Sequence, residues 1–326
     1  MLSDPAAEPA HFFLIHFTSL NHHRPLHGLS LLSNPAVVQL FCNYQRCALA
    51  NSLKEIPVDP DDKILTGCRN RVNDLVGRIY RNNLVKLADQ HQLAILAWGA
   101  RRLWNPKLSF DEQSRKTNRE MDETFDDVAK AWEKGVDKLS KQFGFPSNGF
   151  LLTGMSGAAQ YACRLALRKP DRFLAVHVHI PSSFDKPTPE ASKVLWLLTT
   201  GEKEGGYPAA KRFFNECKGL GYPMIFKGIP GLGHQVSRMA DQLGLEFFEY
   251  ALSLKEAHAK LTANSSVSLL QQSVGQPEPW PDSFKKPAAI GDILNQDTFA
   301  TNEADFVPQN FRVALPTASI AAAWRQ

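Results

Sequence analysis

From about Pro57 onward, short apolar runs alternate with stretches in which apolar residues recur every three or four positions. Runs of four to eight apolar residues bounded by turn formers read as buried strands, and the three-to-four period reads as amphipathic helix. The alternation therefore predicts an α/β fold: a mostly parallel sheet with helices on both faces. Lys63 to Thr66 (KILT) is predicted as a strand, and Asn73 to Gln90 as a helix with Leu75, Val76, Ile79, Tyr80, Leu84, Val85 and Leu87 on its apolar face. Leu93 to Trp98 (LAILAW) is the next strand. A long helix follows from about Asn118 to Phe143, striped by Phe125, Val128, Ala129, Trp132, Val136 and Leu139. Phe150 to Thr153, Phe173 to Ile180, Val194 to Thr199 and Pro223 to Phe226 are further strands, and helical sequence resumes from Val236 to about Leu261.

Both ends break the pattern. Residues 1–50 mix Pro, His, Asn and apolar residues without a sustained period and are expected to form an irregular N-terminal extension. Residues 263–326 carry Pro277, Pro279, Pro281, Pro287, Pro308 and Pro316 and are expected to lie as an extended tail against a domain spanning 51–262. No internal repeat is visible.

Composition narrows the function classes. A chain of 326 residues, 43% of them hydrophobic, can bury a sizeable core. The net charge of +4 is dispersed, with no long Lys or Arg run, which argues against a nucleic-acid partner. The five cysteines, Cys42, Cys47, Cys68, Cys163 and Cys217, lack the paired CxxC units of a zinc site, and a Cys42–Cys47 bridge is the lesser reading. His22, His23 and His27 have no carboxylate spaced to complete a metal site and read as solvated. No window approaches the roughly 20 apolar residues of a membrane-spanning helix. The start, MLSDPAAEPAH, carries an acidic residue where a secretory signal carries positive charge, so the expectation is a cytoplasmic protein without a signal peptide, an extracellular one being the alternative.

The strongest chemical signal is FLLTGMSGAAQYACRLAL: a strand, then Gly154-Met155-Ser156-Gly157-Ala158, then a helix rich in Ala and Leu. That is the context of a nucleophile elbow, a sharp turn that exposes a serine and requires small residues two positions to either side. Here those residues are Gly154 and Ala158, in a G-x-S-x-A motif. The backbone N–H of Gly157, at the start of the helix, is a candidate oxyanion donor. A serine hydroxyl needs a base, and the base needs an acid, in the order Ser, acid, His. Glu202 and Glu204, in the turn Gly201-Glu202-Lys203-Glu204 after a strand, are the candidate acids, and His234, after IPGLG, is the candidate base. Trp98 and Trp104, in WGARRLW at the end of another strand, are candidate substrate contacts, with core packing the competing use and the stronger one for Trp98.

With TGMSGAAQ, TTGEKE and GLGH in this order, residues from about 60 to 260 resemble an α/β-hydrolase of the esterase and polyester-depolymerase branch. The resemblance implies a carboxylic ester hydrolase acting on a small-molecule or polymeric ester, with no metal or organic cofactor. Acid turns in that branch usually read Gly-x-x-Asp, which assigns the acid to Glu204 and keeps Glu202 in reserve. It also implies a second oxyanion donor in the loop Thr66 to Arg71, from Cys68 or Arg69, although this loop departs from the His-Gly pattern of many relatives. A peptidase, an acyltransferase or a non-catalytic binding protein on the same scaffold are the alternatives.

Overall fold

Residues 12–21, 29–30, 49–50, 84–91, 93–102, 110–143, 145–264 and 282–326 are described by the computed structural model. Their contacts group into two compact units, Met1–Phe150 and Leu151–Gln326.

In the first unit, strand β1 (Phe12–Asn21) runs parallel to β4 (Leu93–Arg102), from Phe12 opposite Leu93 to Asn21 opposite Arg102. Two short strands, β2 (Leu29–Ser30) and β3 (Leu49–Ala50), also pair in parallel. Residues 1–50 thus hold regular structure where the pattern predicts none. FFLIHF is rich in aromatic and β-branched residues but does not alternate, and parallel pairing is made by backbone groups that need no alternation. Helix α1 (Leu84–Gln90) is the described end of the predicted 73–90 helix; KILT lies outside the described residues.

Helix α2 (Phe110–Phe143) starts eight residues before the predicted Asn118. Its first turns, FDEQSRKT, have no apolar stripe, so helix-forming residues extend it beyond the reach of a periodicity argument. Phe125, Ala129, Trp132 and Val136 are buried at spacings of four, three and four. The Trp132 ring meets Phe150 edge-on at 5.8 Å between centroids.

The second unit is built on a sheet ordered β5 (Phe150–Met155), β6 (Phe173–His179), β7 (Leu195–Gly201) and β8 (Met224–Ile229). β6, β7 and β8 pair in parallel. All seven residues of β7 and all six of β8 are buried, which explains their unbroken apolar runs: helices cover both faces. Helices α3 (Gly157–Arg168), α4 (Tyr207–Gly219) and α5 (Arg238–Asn264) connect and follow the strands. Trp196, Phe214, Phe226, Phe247 and Phe248 form the largest fully buried side chains of this core.

The C-terminal segment is not extended chain. Strands β9 (Ala289–Asp292), β10 (Thr298–Phe299) and β11 (Arg312–Leu315) form an antiparallel sheet in the order β10-β9-β11, and helix α6 (Ala318–Arg325) follows. Pro287, Pro308 and Pro316 fall between these elements, so the prolines mark their ends rather than prevent them. Trp324 of α6 is fully buried; its indole N–H donates to the Phe226 carbonyl at 2.8 Å, and Lys227 Nζ sits 4.2 Å from its ring centre. Burial pushes the Lys227 ammonium down to about 8, and the charge of Glu202 opposes that shift.

Replacing Trp324 with Ala removes a fully buried ring and leaves the Phe226 carbonyl without its donor. Urea unfolding of the variant should show a loss of about 3 to 5 kcal/mol.

Candidate active site

Ser156 sits between β5 and α3 at φ 57°, ψ −126°, a conformation that costs a non-glycine residue about 1 to 3 kcal/mol. Its neighbours permit the turn. A Cβ on Gly154 would lie 2.6 Å from the Ala158 carbonyl oxygen, and Ala158 itself is buried. The Ser156 N–H donates to the His179 carbonyl at 2.9 Å, tying the turn to the end of β6. A serine at a helix N-cap ordinarily accepts a bond from its own helix. Ser156 makes no such bond; its Oγ lies 2.8 Å from His234 Nε2 instead. Gly157 is the first residue of α3, and its N–H is one of the donors that an α-helix leaves without an internal acceptor.

The other ring nitrogen of His234, Nδ1, is 3.1 Å from Glu204 Oε2. His234 therefore stands between Ser156 and Glu204, with a hydrogen-bond contact at Nε2 and an ion-pair distance at Nδ1. The ends differ in exposure: the Glu204 side chain is 13% accessible and that of His234 49%, so the carboxylate is sheltered while the imidazole faces solvent. Glu202 points elsewhere. Its carboxylate faces Gln296 of the C-terminal segment, with Nε2 at 3.5 Å, and lies in the electrostatic neighbourhood of Lys227.

Backbone contacts hold the two loops together. Glu202 N–H donates to Ile229 O at 3.1 Å and Lys203 N–H to Leu232 O at 2.9 Å, joining the acid turn to the histidine loop. Gly201 allows this approach, because a Cβ there would lie 2.3 Å from the Leu232 carbonyl oxygen. Glu204 N–H closes the turn on Gly201 O at 3.1 Å, and Tyr207 N–H follows on Glu204 O at 3.0 Å, starting α4.

Three site residues escape the motif analysis. His177 and His179 of β6 and Thr199 of β7 are buried, and Thr199 Oγ1 lies 3.0 Å from His177 Nε2 and 2.8 Å from His179 Nδ1. His179 Nε2 reaches the carbonyl of Gln235, the residue after His234, at 3.2 Å. Burial pushes the His179 ring from its ordinary 6.5 down to about 4, partly offset by its hydrogen bonds and aided by the nearby His234. The sequence signal was the alternation in VHVHI, which places two imidazoles on one face of a strand whose other residues are apolar.

Of the other predicted site residues, Cys68, Arg69 and Trp104 lie outside the described residues. Trp98 belongs to β4 of the first unit, in register with Phe17. Cys163 and Cys217 are buried free thiols, their ionisation pushed up by burial, which suits packing rather than nucleophilic chemistry. No His, Cys, Asp and Glu grouping that could hold a metal occurs among the described residues, nor does any described helix have the length and apolar character to cross a membrane.

Gly201→Ala should lose at least about 2 kcal/mol of stability in urea unfolding, since its methyl group meets backbone. Gly205→Ala, with nothing within 4 Å of the added methyl, should be neutral in the same measurement. A second expectation concerns acid. The unfolded chain protonates His179 below 6.5 and the folded chain only near 4, so falling pH favours unfolding. Between pH 7 and 4.5 the wild type should lose about 2 kcal/mol more than His179→Gln, which does not titrate. Asp241, pushed up to about 6 by burial, acts in the opposite sense but is common to both proteins and cancels.

No protein-family model and no curated protein matches the chain. Solved structures similar to it include a variant of Arabidopsis thaliana SOBER1, at 19% identity and a TM-score of 0.35, matched over 40% of this chain and 66% of that one. A Bacillus cereus carboxylesterase aligns at 14% identity and a TM-score of 0.36, over 40% of this chain and 63% of that one. A fungal esterase from Rhizomucor miehei aligns at 10% identity and a TM-score of 0.33, over 42% and 60%. The chain thus spans less than two thirds of the length of these structures. The second unit is an α/β fold in its own right, with parallel strands joined by helices and with Ser156, Glu204 and His234 on loops at strand ends.

Proposed function

We propose that this chain is a serine hydrolase that cleaves carboxylic esters through an acyl-enzyme. The observation that carries the reading is the 2.8 Å contact between Ser156 Oγ and His234 Nε2, with Glu204 on the far nitrogen. Ser156 attacks the ester carbonyl as His234 takes its proton. Glu204 accepts from Nδ1–H, holds the imidazole in the tautomer whose Nε2 is a base, and stabilises the imidazolium that forms. His234 then protonates the departing alcohol. Water, deprotonated by the same imidazole, attacks the acyl-enzyme, releasing the acid and restoring the Ser156 hydroxyl.

In the tetrahedral intermediates the carbonyl oxygen carries negative charge. The Gly157 N–H, at the positive end of α3, is the proposed donor to it. A donor of this kind is worth on the order of a hundredfold to a thousandfold in rate.

Two features support an ester as the substrate: the resemblance of the three motifs to the esterase and polyester-depolymerase branch, and the solvent access of His234. The same three residues also serve peptidases and acyltransferases.

Ser156→Ala should abolish turnover of a p-nitrophenyl ester, and a fluorophosphonate should label the wild type stoichiometrically at Ser156 alone. Wild-type rates in the variant, or no label, would sink the assignment. Initial rates on short acyl esters, feruloyl esters, a soluble polyester and a peptide amide should be highest among the esters.

A further inference from the structure

The polarity of the buried contacts around Thr199 follows from one fixed point. The Gln235 carbonyl can only accept, so His179 Nε2, 3.2 Å away, carries the proton and donates. His179 is buried to 5% accessibility and is held neutral, its pKa near 4, so its Nδ1 is bare and accepts. The Thr199 hydroxyl, 2.8 Å from Nδ1, must then be the donor. Its oxygen, having spent its proton, accepts from His177 Nε2–H at 3.0 Å. The chain of bonds runs one way: His177 to Thr199 to His179 to the Gln235 carbonyl.

Each link is fixed by the sheet. His179 and Thr199 are direct partners in the β6–β7 register, and His177 shares their face two residues earlier. Thr199 also anchors the next residue of the β6 chain, since its carbonyl accepts from Ile180 N–H at 2.8 Å, and Ile180 is a β-branched residue at φ 46°. The far end is not fixed by a sheet. His234 stands in a loop after β8, and Gln235 is bonded within that loop only by its N–H to Gly233 O at 3.0 Å.

We infer that His179, oriented through Thr199 by His177, is a positioning residue for the reaction proposed above: by holding the Gln235 carbonyl it keeps the adjacent His234 ring on Ser156 Oγ. The same strand end holds both partners, because the His179 carbonyl accepts from the Ser156 N–H while its ring donates to the carbonyl beside His234. One residue thus sets the distance between the serine and its base from the backbone of one and the backbone next to the other. The inference rests on the serine hydrolase reading.

The test uses the full chain and p-nitrophenyl acetate, with near-ultraviolet circular dichroism to establish that each variant is folded. His179→Leu removes both ring contacts, and kcat should fall roughly 10- to 100-fold with KM within about twofold, as expected for a misplaced base rather than a lost binding contact. His179→Gln places an N–H where Nε2 stood and should restore most of the rate. His179→Asn stops at the Nδ1 position, cannot reach Gln235, and should restore little. Thr199→Val keeps the shape of residue 199, removes only the hydroxyl, and should lower kcat about tenfold; it decides the matter if the leucine variant does not fold. A folded Thr199→Val with kcat within twofold of wild type overturns the inference. So do equal rates for the Gln and Asn variants, or a loss confined to KM. Ser156→Ala separates the two levels. If it stays active, the hydrolase reading fails; if it is dead while Thr199→Val is fully active, only the positioning role fails.

Discussion

The site depends on one close approach of backbone to backbone. Ser156 and His234 are 78 residues apart, on loops that leave different strands, and a hydrogen bond between them demands placement to a fraction of an ångström. Parallel strands bring the loops to one end of the sheet but leave their heights free. Gly201 removes that freedom, for the absence of a side chain lets the acid turn lie on the Leu232 carbonyl, and two inter-loop hydrogen bonds then fix Glu204 relative to His234. The line of bonds to Ser156 is as rigid as that contact.

A second constraint lies under the first. Three polar side chains, His177, Thr199 and His179, are taken from water into an apolar sheet, where an unpaired one costs about 1 to 3 kcal/mol. The bonds among them and on to the Gln235 carbonyl run in a single direction, so the arrangement has one satisfied state. That uniqueness separates it from apolar packing, in which Val or Ile at the same positions could relax without a definite end point. The surface turn carrying Glu204 and His234 is thereby built on a floor with little freedom to move.

Much of this was legible in the sequence, and the residues say why. The strand runs of the second unit were readable because parallel strands covered on both faces are almost wholly apolar; the observed bounds differ by three residues at most, and the starts at Phe150 and Phe173 coincide. The turn at Ser156 was readable because its backbone demands small neighbours at fixed offsets. Phe12–Asn21 was not, since it lacks alternation and pairs with a strand about eighty positions later, a relation no local window contains. The C-terminal sheet was hidden by short strands and prolines, which are as frequent between elements as in structureless chain. His177 and His179 were hidden by their setting: in a buried strand an imidazole reads as a tolerated exception, and only the residue opposite, Thr199, gives it a purpose.

The choice between Glu202 and Glu204 shows where local reasoning stops. Both lie on one turn, both are carboxylates, and either spacing from Gly201 could serve. The turn closes by the Glu204 N–H on the Gly201 carbonyl, and the Glu204 carbonyl at once accepts from Tyr207 to begin α4. Residue 204 is therefore held by the turn on one side and the helix on the other, with its side chain directed at His234 Nδ1. Residue 202 is instead bonded through its N–H to Ile229 of β8, which turns its side chain toward Lys227 and Gln296. The two carboxylates thus have different partners: Glu204 lies against the His234 imidazole, while the exposed Glu202 has Gln296 within reach and acts on Lys227 only through its charge.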